Sequence, residues 1–129
     1  CRVLAFNREG HLLMVRHSYG SRRWMLPGGG VGSHESPTDA AVREFAEETG
    51  CRLLDPLLVA LQDEQLYGTT NSVHVIGGRF IGQPRCDNRE VIEIALFDPA
   101  HLPADMPPTL QRDLPGWIAA FAPQLESAR

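Results

Sequence analysis

Cysteine is scarce in this 129-residue chain, with three residues at 1, 51 and 86 and no CxxC spacing. An odd, unpaired set excludes a disulfide framework and a cysteine zinc site, and fits reduced thiols in a cytoplasmic protein. The five histidines, at 11, 17, 34, 74 and 101, show no metal-ligand spacing. No apolar run approaches the roughly 20 residues a membrane-spanning helix needs, which excludes a membrane partner by that route. No signal-peptide pattern stands at the start. The chain opens inside an apolar stretch, "CRVLAF", without a methionine, so we expect a truncated N-terminus.

Positive charge is also short. Twelve Lys and Arg against sixteen Asp and Glu leave a net charge of -4 and a pI near 5.7. That balance excludes a protein that tracks long nucleic acid through a basic stripe, and leaves room for a small anionic ligand. Repeats, linkers and low-complexity tracts are absent, so residues 1–129 are expected to form a single domain.

What is present reads as strands with one well-marked helix. "RVLAF" and "HLLMVRH" flank the turn "NREG". "CRLLDPLLVALQDEQ", "NSVHVIGGRFIG" and "VIEIALFD" read as further strands, with Pro56 and Gly77-Gly78 marking a bend or bulge. "TLQRDLPGWIAAFAPQL" reads as a broken C-terminal helix. Several strands and two helices predict an α+β layered domain. Between "SYGSRRW" and the first helix lies the glycine-rich "MLPGGGVGSHESP", which cannot be regular structure.

The helix has clear ends: Ser36 as N-cap, Pro37 at the first position, Asp39 completing a capping-box-like pair, and Gly50 at the left-handed C-terminal position. Its spacing predicts that Val42, Phe45, Ala46 and Thr49 face a sheet while Glu44, Glu47 and Glu48 cluster on the other side. Like charges at i,i+3 and i,i+4 destabilise a helix by about 0.2–0.5 kcal/mol per pair, and Arg43 offsets part of it. An ordinary solvated acidic face is one explanation. The other is a face of hard oxygen ligands for Mg²⁺ or Mn²⁺, favoured by the glycine loop directly before it.

These residues resemble the Nudix hydrolase signature. Gly29, five residues, Glu35 and seven residues lead into Arg43-Glu44-Phe45-Ala46-Glu47-Glu48-Thr49-Gly50-Cys51. Every specified position fits except the last, where Cys51 replaces an aliphatic residue and serves as a small hydrophobe. "WMLPGGGV" looks like the family's usual lead-in. The resemblance implies the Nudix fold, a mixed sheet sandwiched between helices. It also implies Mg²⁺-dependent hydrolysis of a diphosphate bond in a nucleoside diphosphate linked to another moiety. A catalytically silent nucleotide-binding or sensor module of the same fold is the alternative.

Carried onto this chain, the resemblance makes Glu44 and Glu48 metal ligands and Glu47 a further ligand or the catalytic base. The carbonyl of Gly28 or Gly29 would complete the coordination, and Glu35 would pair with Arg43. A late acidic residue is common in the family, and Glu93, inside an apolar strand, is preferred as base over Glu90. Arg16, Arg23 and Gly28 are expected at the substrate phosphates. Tyr67 sits where members acting on dinucleoside polyphosphates often carry a tyrosine. The expected partner is a small nucleotide, with room for a homodimer.

Overall fold

A computed structural model describes the backbone of residues 1–66 and 69–127 and the side chains of residues 1–63 and 72–126. Strands β1 (Arg2–Phe6) and β2 (Leu12–His17) precede helix α1 (Pro37–Thr49). Then come β3 (Arg52–Leu66), β4 (Thr69–Ile81), β5 (Val91–Phe97) and helix α2 (Pro108–Ser127). One five-stranded sheet runs in the order β3-β4-β1-β2-β5, parallel only between β1 and β4.

The central strands are apolar on both sides because both faces of the sheet are covered. In β1, Val3 and Ala5 join Leu13 and Val15 of β2 in a core with Ala41 and Phe45 of α1. The alternate residues, Leu4 and Phe6 with Leu12 and Met14, pack on Leu114 and Phe121 of α2. The sheet is therefore sandwiched between the two helices, as the sequence leads one to expect.

The glycine-rich lead-in is held inside this sheet. Phe6 pairs with Leu12, but further along β1 and β2 are separated by residues 25–28. Val3 N donates to Pro27 O at 2.7 Å, and Val15 exchanges hydrogen bonds with Met25 at 2.8 and 2.9 Å. Gly28 sits here at φ 152, where a Cβ would come within 2.1 Å of the Cys1 carbonyl oxygen. Only glycine fits this crossing without displacing β1.

Helix α1 starts and stops where its caps predict. The Ser36 hydroxyl accepts from Asp39 N at 3.1 Å, and Gly50, at φ 74, donates its N–H to Ala46 O at 2.9 Å. Its inward stripe differs from expectation: Ala46 is exposed, whereas Glu48 is buried beside Ala41, Phe45 and Thr49. Positions 41, 45 and 48 follow the i, i+4, i+7 spacing, so one carboxylate of the three turns into the protein.

One other expectation is corrected. Helix α2 runs unbroken through Pro115 and Pro123. An internal proline costs about 3 kcal/mol, and the burial of Leu114 and Phe121 offsets it, each large side chain contributing about 1.5–3 kcal/mol. The bulge expected at Pro56 and Gly77-Gly78 is present in the β3–β4 pairing, with Asp55-Pro56 opposite Gly78 and a second shift at Val59, while Gly77 and Gly78 keep regular pairing with β1. The glycines admit close neighbours: a Cβ on Gly77 would lie 2.9 Å from the Phe121 ring, and one on Gly78 2.8 Å from Leu54 O.

Candidate active site

Arg43 organises the start of the site. Its Nε and Nη2 donate to the two oxygens of Glu35 at 2.8 and 2.9 Å, a fork-to-fork pair. Nη2 also donates to Gly30 O at 3.0 Å, and Nη1 to Glu44 at 2.9 Å and Glu47 at 3.4 Å. Glu35 accepts as well from Gly32 N at 3.0 Å. Arg43 and the Gly32 amide hold the Glu35 carboxyl down to about 2, and these carboxylates raise the Arg43 guanidinium above its ordinary value. The pair ties the glycine loop to the helix.

The three helix carboxylates occupy different surroundings. Glu47 is exposed. Glu44 is mostly buried and lies against the loop backbone: a Cβ on Gly29 would be 2.5 Å from its carboxyl carbon. Glu48 is 2% exposed, and its Oε2 has no hydrogen-bond partner among the described residues. The Nε2 of His17, likewise buried and without a hydrogen-bond partner among the described residues, stands 3.6 Å from it. The Gly29 carbonyl accepts from the Cys1 nitrogen at 2.6 Å.

Glu93 does not join this group. It pairs with Arg16 in register, and its Oε1 accepts from Arg16 Nη1 at 3.0 Å. Arg16 stacks over Trp24 at 4.5 Å and also binds Asp105 at 3.3 Å, while Arg23 lies 3.8 Å from Asp105. Trp24 belongs to the core on the α2 side, so strand alternation carries Arg16 and Glu93 to the face away from α1. The structure thus places the expected base and two expected phosphate-binding arginines in one ion network apart from the helix carboxylates. Tyr67 lies outside the described residues.

Glu90, directly before β5, is exposed. Ser18 N donates to Glu90 O at 2.9 Å, and Tyr19 follows directly, its ring 5.0 Å from that of His17. The Tyr19 hydroxyl is raised above its ordinary pKa by partial burial first, then by Glu48 and Glu90, with a smaller effect from Glu44. Asp87 fixes the backbone here, its Oδ1 accepting from the amides of Arg89, Glu90 and Val91 at 2.9, 3.1 and 2.9 Å.

The NUDIX domain pattern matches residues 1–121. The chain belongs to the NUDIX domain family. An RNA pyrophosphohydrolase of Bartonella bacilliformis is 36% identical over 91 residues, covering 63% of this chain and 53% of that protein. Diphosphoinositol polyphosphate phosphohydrolase 3-alpha of Mus musculus is 42% identical over 52 residues, covering 40% and 32%. The chain thus spans about half or less of these relatives' length. A solved MutT NUDIX hydrolase from Burkholderia pseudomallei superposes with a TM-score of 0.72 at 25% identity, covering 88% of this chain and 95% of that one.

A divalent cation fits the donor set. The orphaned oxygen of Glu48 is buried, where an unpaired carboxylate is costly, and Gly29 leaves space for the Glu44 carboxylate against the loop. Among the described residues no three Asp, Glu, His or Cys side chains converge into a finished metal cluster, and Arg43 Nη1 lies on Glu44 and Glu47. Among the described residues no helix is long and apolar enough to cross a membrane, and none of the three cysteines is in a disulfide.

Proposed function

We propose that this protein hydrolyses the diphosphate linkage of a nucleoside diphosphate joined to another group. The observation that carries this is the Arg43-organised carboxylate face beside the glycine loop, with Glu48 Oε2 buried and unpartnered. A bare sensor has no need to keep a buried, unsatisfied carboxylate, which costs stability at any pH where it is charged. Glu44, Glu48, Glu47 and the Gly29 carbonyl would hold Mg²⁺, or Mn²⁺ in its place. When bound, the ion neutralises phosphate oxygens and acidifies its water.

The chain's own residues do the rest. Arg43 and Glu35 keep the loop backbone at Gly28–Gly30 against the helix, where the absence of side chains lets phosphates approach. Glu90, taking the role expected of Glu93, accepts the proton of the attacking water. The three cysteines outside any disulfide fit a cytoplasmic location.

A substrate panel tests this reading: (d)NTPs, ADP-ribose, dinucleoside polyphosphates, nucleotide sugars, a diphosphoinositol polyphosphate and a 5′-triphosphate RNA oligonucleotide, each with Mg²⁺ and with EDTA. The RNA and inositol arms come from the relatives' names, and an RNA 5′ end needs no basic stripe because only the terminus enters the site. Mg²⁺-dependent phosphate or pyrophosphate release from a nucleotide member is the expected result. Tight nucleotide binding with no turnover of any member would identify a sensor instead.

A further inference from the structure

We infer that His17 supplies an imidazole nitrogen to the cation position of Glu48, making it a mixed nitrogen–oxygen site that favours Mn²⁺-like ions over Mg²⁺. This rests on the reading of Glu48 as a metal-facing carboxylate. His17 Nε2 and Glu48 Oε2 are each buried, each without a hydrogen-bond partner, and 3.6 Å apart. An imidazolium–carboxylate hydrogen bond would close to about 2.7–2.9 Å. Two donors each about 2.1 Å from a shared ion stand roughly 3.0–3.4 Å apart, close to what is seen.

Local structure aims His17 at this point. The β2–β5 register shifts between Arg16 and His17, so Arg16 faces Glu93 while His17 faces Val91. The unpaired residue of that shift, Ile92, lies in β5, so β2 keeps its alternation. Arg16 therefore falls on the α2 face with Leu12 and Met14, and His17 on the α1 face with Leu13 and Val15, where the Tyr19 ring lies 5.0 Å from its own. Mg²⁺ demands a near-ideal oxygen shell, whereas the first-row transition ions accept an imidazole nitrogen more readily, Mn²⁺ least strongly among them.

Mn²⁺ alone is the probe. Wild-type protein, His17→Gln and Glu48→Gln are titrated with Mn²⁺ by electron paramagnetic resonance, with Mg²⁺ as competitor. Electron spin-echo modulation then tests for a coordinated imidazole nitrogen. Wild type should show that nitrogen signal. His17→Gln should lose it and bind Mn²⁺ about tenfold or more weakly, with Mg²⁺ affinity changed by less than about threefold. Bound Mn²⁺ without nitrogen modulation in wild type overturns the inference, as does an unchanged signal in His17→Gln. If His17→Gln fails to fold, ¹⁵N-histidine labelling of wild type reads the same contact. Glu48→Gln binding Mn²⁺ as well as wild type would defeat the reading of Glu48 itself, a result distinct from failure of the His17 contact alone.

Discussion

Gly29 and Glu44 are fitted to each other: a methyl group on Gly29 would come 2.5–2.7 Å from the Glu44 carboxylate. Gly30, one residue on, has nothing within 4 Å of its corresponding position. Gly29→Ala should therefore push the Glu44 side chain aside, raising the Mg²⁺ concentration needed for half-maximal activity while the fold persists. Gly30→Ala should leave that requirement unchanged. Rate against Mg²⁺ concentration for the two variants checks this, and equal effects would detach Glu44 from metal binding.

Glu93→Gln should keep near wild-type kcat, because Glu93 is occupied with Arg16 on the α2 face. Glu90→Gln should lower kcat by about 10²–10⁴-fold, the usual contribution of a general base. Asp87→Asn, which weakens the carboxylate acceptor for three consecutive amides around Glu90, should lower kcat less than Glu90→Gln does. Steady-state kinetics on the best panel substrate decide. Full activity in Glu90→Gln would return the role to Glu47.

Glu35 gives a pH dependence of known sign. Its folded pKa is depressed from 4.5 to about 2, chiefly by hydrogen bonds from Arg43. The stabilisation is therefore complete above the unfolded value and is lost as pH falls from about 4.5 toward about 2. Thermal melts of wild type and Glu35→Gln should differ by a constant amount from pH 6 to 7, with the gap closing below about pH 4.5. A gap that persists unchanged to pH 2.5 would contradict the Arg43–Glu35 assignment.

Much of this site was legible before any coordinates. The caps of α1 and the Arg43–Glu35 pairing rest on local sequence with a fixed spacing, and the structure follows them; the insertion of residues 25–28 between β1 and β2 does not, because it depends on strands far apart in the chain. Glu93 misled because an acid in an apolar strand looks inward, yet a sheet covered on both sides has two inward faces. Only the register with Arg16 and the stacking on Trp24 show which face it takes. His17 was passed over because its partner lies 31 residues on, in another element, and no spacing announces a contact between β2 and α1. Alternation in β2 offered the one signal, since His17 shares its face with Val15.

Glu48 carries the central claim, its Oε2 buried without a hydrogen-bond partner among the described residues. Removing its charge should leave metal-free stability unchanged or slightly higher, because a lone buried charge is unfavourable. The decisive measurement is the initial hydrolysis rate against Mg²⁺ concentration for wild type and Glu48→Gln, on the diphosphate substrate the panel identifies. The account predicts saturable activation of wild type by Mg²⁺, no turnover in EDTA, and a loss of at least about 10²-fold in Glu48→Gln. Turnover that persists in EDTA, or a Glu48→Gln variant as fast and as metal-responsive as wild type, would contradict it.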